Sequence, residues 1–177
     1  MKAVLLILVG VLGFISSAQT SLEQTGKINA GLQGVDFSYE LPMSNQFIWE
    51  SSAGLGIGMN VKSNKSTYNF YLFDPVVSVA TGLKWMYNRE KRESRDRNNS
   101  NNAGNYFGLQ TKYSFGHSVA LDMNQALLTD IHWGIQRNIG QKFVLNTNIG
   151  LGYMNDFETN YGDIAPTLRV KIGYLLF

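Results

Sequence analysis

The chain has 177 residues, enough for one sizeable domain, and its formal net charge of +2, from 15 basic and 13 acidic residues, is too small to point to nucleic acid. It contains no cysteine, which excludes disulfide support, a classical zinc site and the lipidated cysteine of a lipoprotein. Charged residues make up 16% of the chain and aromatic residues 12%, with 18 glycines, a mixture that suits strands better than helices.

The first segment reads as a secretory signal. Lys2 supplies a positive start, Ala3 to Ile15 form an apolar stretch too short to cross a bilayer, and Ser16, Ser17 and Ala18 place a cut near Ala18 that leaves Gln19 first. Residues 1–18 are expected to be removed, so that 19–177 form the folded domain. No later run of 18 apolar residues suggests a transmembrane helix.

Beyond the signal, apolar residues alternate with small or polar ones, the period of a strand with two different faces. The first stretch carries Ile28, Ala30 and Leu32, then Val35, Phe37, Tyr39 and Leu41; the phase slips near Gly34, which a glycine bulge explains. The second sets Phe47, Trp49, Ala53, Leu55, Ile57 and Met59 against Glu50, Ser52, Gly54, Gly56, Gly58 and Asn60. Its glycine run imitates part of a phosphate-binding loop, but it lies inside a strand with no helix after it, so it reads as a device for curvature. The third sets Val77, Val79, Thr81, Leu83, Trp85 and Tyr87 against Ser78, Ala80, Gly82, Lys84, Met86 and Asn88.

Arg89 to Arg97 then mixes bases and acids before an asparagine-rich linker, and it is expected to be a mobile polar loop. Alternation resumes at Phe107, Leu109, Thr111, Tyr113 and Phe115, at Leu127 to Ile135, and at Phe143 to Tyr153. The last strand uses Leu168, Val170, Ile172, Tyr174 and Leu176 against Arg169, Lys171 and Gly173.

These segments exceed the roughly five or six residues of an average soluble strand. Their polar faces favour Gly, Ser, Asn and Gln, which suit a narrow interior, while Trp and Tyr sit near strand ends, as in the aromatic girdles of outer-membrane barrels. The alternative is a soluble sandwich or lipocalin-like barrel with its apolar face inward. Seven strands are counted in this way, whereas single-chain bacterial barrels use an even number. The eighth is expected at Thr67–Phe73, or else before Lys27.

The stretch Leu168–Phe177 (LRVKIGYLLF) resembles the closing strand of small bacterial outer-membrane barrels, which end in an aromatic residue read by the insertion machinery. Trp85–Arg92 (WMYNREKR), the linker Asn98–Tyr106 and Trp133–Gly140 (WGIQRNIG) are similar to elements of the same family, the outer membrane protein A/X-like barrels. Tyr174 stands three residues before Phe177 instead of the usual two, which departs from the family pattern. The resemblance implies an all-β, closed, antiparallel up-and-down transmembrane barrel of eight strands in a Gram-negative outer membrane, and it brings no catalytic residues.

With the C-terminus on the periplasmic side, 137–141 becomes a periplasmic turn, 116–125 and 155–164 become extracellular loops, and the long 89–104 segment falls on the periplasmic side. Interior-facing charges are the most informative candidates. Asp36, Glu40, Glu50 and Asp130 should pair with Lys84, Lys112, Arg169 and Lys171, because a bare charge in a narrow lumen is costly. Arg89, Lys91, Arg92, Arg95 and Arg97 are candidates for contact with lipid headgroups, lipopolysaccharide phosphates or cell-wall polymer. His132 beside Asp130 reads as an interior histidine held by its neighbour, and His117 with Ser118 as loop residues whose adjacency is wrong for a Ser–His hydrogen bond. Asp156, Glu158 and Asp163 lack the spacing of a calcium loop.

The expected function is therefore a monomeric outer-membrane barrel with a packed lumen, holding a structural or surface-interaction role in the cell envelope, with no enzymatic activity, cofactor or metal. Its expected partners are outer-membrane lipid, lipopolysaccharide and the insertion machinery. A narrow porin-like pore and a lipid-modifying outer-membrane enzyme are the alternatives.

Overall fold

The computed structural model describes residues 22–56, 58–62, 65–69, 76–116 and 124–177, with the backbone alone for 58–62 and 65–69. Residues 1–18, expected to be a signal, and His117 and Ser118 lie outside the described residues.

Among the described residues ten strands follow one another: β1 (Thr25–Gly31), β2 (Gly34–Pro42), β3 (Phe47–Gly56), β4 (Gly58–Lys62), β5 (Lys65–Asn69), β6 (Val76–Trp85), β7 (Gly104–Ser114), β8 (Ala126–Ile139), β9 (Phe143–Asp156) and β10 (Gly162–Leu175). Eight of them close into one antiparallel barrel in the order β1-β10-β9-β8-β7-β6-β3-β2, while β4 and β5 form a separate hairpin. Chain neighbours are barrel neighbours throughout, apart from that hairpin inserted between β3 and β6. Closure comes from β10 pairing with β1, from Lys27 opposite Leu175 to Gly31 opposite Lys171. A barrel closed in this way has no open edge along the paired length.

The strand count corrects the sequence reading at two places. The slip near Gly34 is not a bulge in one strand but the reversal between two: Gly31 pairs with Gly34, and only Leu32 and Gln33 lie between them. Gly34 takes a φ of +112°, the left-handed region that glycine enters without a Cβ clash. A two-residue reversal shifts the alternation by one, as a bulge does, which is why the two look alike in sequence. Consequently Thr67–Phe73 is not the eighth barrel strand. Its first residues belong to β5, which pairs with β4, and 70–73 lie outside the described residues.

Gly56 marks a close crossing at the same corner, where a Cβ would stand 1.9 Å from the carbonyl oxygen of Gln33. At the other end of the wall, the exposed ring of Phe177 covers Gly26, and the two residues' backbones join through a Gly26 N–H to Phe177 carbonyl bond of 3.1 Å.

The alternation fixes the faces. Ile28, Phe37, Trp49, Leu83, Phe107, Leu109, Ile131, Trp133, Ile149, Leu151, Leu168 and Ile172 all point outward and are exposed. Their neighbours point into a lumen lined by Asn, Ser, Gly, Lys, Glu and Asp. The register sets Phe47, Trp85, Phe107 and Trp133 opposite one another across four strands, a continuous aromatic row on the outer wall. Trp85 and Phe107 stack with centroids 6.3 Å apart, and Trp133 donates its indole N–H to the Tyr87 hydroxyl at 2.9 Å. A second aromatic group, Tyr113, Phe115 and Phe157, stands at the opposite end.

Candidate functional site: the lumen

The two ends of the barrel differ. Both ends of the described chain, the 43–46 and 140–142 turns, and the long 86–103 segment lie at one end; the β1–β2 reversal, the described residues that flank β7 and β8 (115–116 and 124–125) and 157–161 lie at the other. The 86–103 segment is a folded cap. A short helix α1 (Arg89–Glu93) and a 3-10 turn (Ser100–Asn102) bring Asn102 into the mouth of the lumen, where it is fully buried. Asn102 accepts from the Glu23 N–H at 2.7 Å and donates its amide to the Glu23 carbonyl at 2.7 Å and to the Glu40 carboxylate at 2.9 Å. Leu22, Ile48, Met86 and Tyr106 pack together beside it.

This arrangement also redistributes the five basic residues proposed for headgroup contact. Arg92 donates to the Asn98 carbonyl at 2.6 Å and to the Asn99 side chain at 3.1 Å, and Arg89 donates to the Asn99 carbonyl at 3.2 Å. Both are buried inside the cap, so they are spent on its folding and not offered to a surface. Burial lowers the pKa of each guanidinium from the ordinary arginine value, although arginine stays charged at any ordinary pH. Lys91, Arg95 and Arg97 remain exposed.

Above the cap, the interior acids and bases gather in two clusters. Glu40 is wholly buried and accepts from Lys27 and Lys84, each at 2.7 Å, from Thr25 at 3.0 Å and from Gln136 at 3.3 Å, as well as from Asn102. Lys84 also pairs with Glu50, which Lys171 reaches at 3.1 Å; Lys171 stands 3.7 Å from Asp36. In the second cluster Arg169 grips both oxygens of Asp130 at 2.7 Å, and His132 Nδ1 lies 2.6 Å from the same carboxylate. With Nδ1 carrying the proton, the imidazole donates to Asp130, and the 2.9 Å approach of Arg169 to that nitrogen is a contact, not a bond. The Nε2 edge packs against Gly108, where a Cβ would stand 2.3 Å away. His132 is therefore occupied structurally.

A chain of side-chain amides and one phenol joins the clusters. Gln136 accepts from Asn146 at 2.8 Å, Tyr106 donates to Asn146 at 2.8 Å and accepts from Asn148 at 3.3 Å, and Arg169 donates to Asn148 at 2.9 Å. Such a chain satisfies buried polar groups that water cannot reach.

Seven of the eight charges named from sequence enter these pairs: Asp36, Glu40, Glu50, Lys84, Asp130, Arg169 and Lys171. Lys112 does not; it faces the lumen but makes no ion pair or hydrogen bond among the described residues. Lys27 was missed, because the apolar alternation first becomes visible at Ile28, one position later. The interior is also not packed throughout, which corrects the filled lumen expected from sequence. Over Tyr106 and His132 lies a cavity of about 270 Å³, walled by Asp36, Ser52, Ala80, Gln110, Lys112 and Arg169 among others.

Asp156, one of the acids whose spacing does not fit a calcium loop, accepts the Glu158 and Thr159 amides at 3.0 Å and the Asn124 amide, capping its own turn. Among the described residues, no group of three His, Cys, Asp or Glu side chains is placed to hold a metal ion.

Family models, curated proteins and solved structures yield no match to the chain. What the barrel does must be argued from its own residues.

Proposed function

We propose that the protein is an outer-membrane barrel of the A/X-like kind, exported by a signal cut near Ala18, which serves the cell envelope as a structural or surface-contact element. The observation that carries this reading is the polarity of the wall: large apolar side chains cover the outside while ion pairs and side-chain amides line the inside. Water would penalise such an exterior by about 25 cal/mol for each Å² of apolar surface, and a soluble barrel would hold those residues within. Lipid removes the penalty, and a closed barrel leaves no backbone group along its paired length unsatisfied there.

Dimensions agree. Strands of 10 to 14 residues form most of the wall, and at about 3.3 Å per residue with a tilt of about 40° they rise roughly 25–35 Å. The aromatic row from Phe47 to Trp133 would lie at one interface and the group around Tyr113 at the other. The exposed aromatic rings of Tyr174 and Phe177 beside the closing strand support a contact with the insertion machinery.

A structural role is favoured over a porin-like pore because the cap, Asn102, Met86 and Tyr106 occupy the lumen at the turn end. An enzyme reading has less support, since the His132–Asp130 pair is committed to Arg169. No cofactor is called for. Lys91, Arg95 and Arg97 are the remaining candidates for contact with lipopolysaccharide or another anionic surface.

Electrophoretic mobility of the detergent-folded protein, heated against unheated, tests the membrane barrel: the unheated form should run as a separate compact band. A protein that stays dispersed without detergent would overturn the reading. Steady single-channel currents from purified protein in planar bilayers would overturn the closed lumen.

A further inference from the structure

Beyond the aromatic row at the turn end, the outer wall carries a base. Trp133, Ile135 and Arg137 follow one another on the outward phase of β8, which ends two residues later at Ile139. The Arg137 guanidinium is tied in place. One of its nitrogens donates to the Gly104 and Gln136 carbonyls at 2.7 and 2.8 Å, and another donates to the Asn105 side chain. Asn105 donates in turn to the Tyr87 hydroxyl at 3.4 Å, which also accepts from the Trp133 indole. Two side chains therefore link Arg137 to Trp133 of the aromatic row.

Two further guanidiniums join it from the cap. After α1 the chain turns back on itself: the N–H groups of Arg95 and Arg97 both donate to the Arg92 carbonyl, at 3.1 and 3.0 Å, and Asp96 takes a φ of +51°. That turn sets Arg97 beside Arg92. Arg92 and Arg97 both repel Arg137, and Arg97 repels Arg92. Arg92 is buried and spends part of its fork on Asn98 and Asn99, Arg137 is half-buried, and Arg97 is exposed. The acids of this end are placed otherwise. Glu23 and Glu93 act on Arg89, while Glu90 and Asp96 are exposed to water. Among the described residues, none of the three guanidiniums enters an ion pair with a carboxylate.

Like charges gathered without a counter-charge repel, and an anion within reach of their forks offsets that repulsion with charge-assisted hydrogen bonds. Depth matters as much as sign. Trp and Tyr rings sit at headgroup level in a membrane wall, so a guanidinium just outside them meets phosphates, whose geometry its fork matches. Arg97 makes no side-chain hydrogen bond among the described residues, and Arg137 keeps its Nε–H.

We propose that Arg97 and Arg137, with the charge of Arg92 behind them, bind the phosphate of an anionic phospholipid headgroup at the turn end of the wall. Net negative charge is part of the specificity: a choline or ethanolamine head brings a fourth cation to three guanidiniums, and a glycerol head brings none. Of the cap's three exposed bases, Arg97 is the one that joins Arg137. The site rests on the lipid-facing wall proposed above, and it adds which lipid that wall selects and by which residues.

The test uses the full chain folded into phosphatidylcholine vesicles, with Trp49→Phe and Trp85→Phe leaving Trp133 as the only tryptophan. A minor fraction of the lipid is brominated near the headgroup, as phosphatidylglycerol or, in the control, as phosphatidylcholine. At equal mole fraction the brominated phosphatidylglycerol should quench Trp133 more strongly, because it collects beside Arg137. Arg97→Gln should lower this preference about fivefold and Arg137→Gln by at least as much, as for one arginine at an anionic headgroup. Lys142→Gln, which removes a cation of the same end that lies over the Tyr174 ring, should leave the preference unchanged. The heat-dependent band shift verifies that each variant is folded. Equal quenching by the two lipids, a preference kept in both arginine variants, or one lost equally in Lys142→Gln would each overturn the proposal. So would loss of the preference to inorganic phosphate at an ionic strength where chloride leaves it intact, since that describes a site for a free anion. Quenching by neither lipid would overturn the lipid-facing wall and this site together, whereas equal quenching by both leaves the wall standing.

Discussion

At the turn end of the lumen, Glu40 receives Lys27, Lys84, Thr25, Asn102 and Gln136, and the cap fills the mouth beneath it. At the loop end, Lys112 and Thr167 face a cavity with no described partner for either. The same alternation of small and polar residues lines both halves, so polarity does not distinguish them. Completeness does. Where Glu40 gathers five donors the barrel is solid, and where Lys112 and Thr167 have no described partner the lumen keeps a cavity. That coincidence separates a part of the lumen built to hold the fold from a part free to hold something else.

Substitutions can break this comparison or sharpen it. The largest effect belongs to Glu40→Ala, which strands Lys27 and one bond of Lys84 in a buried site and should cost about 3–5 kcal/mol in urea unfolding from lipid vesicles. A loss within the ordinary scatter of surface variants would mean that the turn end is not held by this carboxylate. Asn102→Ala should cost about 1–3 kcal/mol, since it unties Glu40 from the Glu23 backbone, and it should hasten proteolysis of the 86–103 cap. Arg92→Ala should destabilise the cap by about 1 kcal/mol, whereas Lys91→Ala, one position away and exposed, should change nothing measurable. Equal effects of the last two would show that the cap's buried arginines are not structural. Smallest of all, Lys112→Met should leave stability unchanged within about 0.5 kcal/mol or raise it slightly, because it removes a half-buried charge that enters no ion pair among the described residues. Destabilisation comparable with Glu40→Ala would erase the difference between the halves.

The faces of the barrel were legible because a strand's side-chain period is two, so alternation alone sorts Leu109 from Gln110 and Arg169 from Leu168. The list of interior charges followed from the same rule. Pairing was less legible: Glu40 meets Asn102 across 62 positions, and only the closed topology brings them together. The hairpin at Leu32-Gln33 was hidden because neither residue advertises a turn, and a bulge produces the same shift of phase. The cap was hidden for a different reason. A run of charges followed by asparagines reads as a solvated loop, and nothing local tells that Arg89, Arg92 and Asn102 are buried in it. The unequal strand lengths around the barrel become visible only once Gly31 is known to end β1.

The claim beneath all of this is that the outer wall faces lipid, and the protein carries its own probes for it. Its three tryptophans, Trp49, Trp85 and Trp133, all project from the outer face and are 39–43% exposed, near the aromatic row at the turn end. In vesicles of brominated phospholipid their emission should be quenched strongly, and more by bromines near the headgroups than by bromines near the bilayer centre. Emission quenched by aqueous acrylamide or iodide but untouched by bromolipid would contradict a lipid-facing wall.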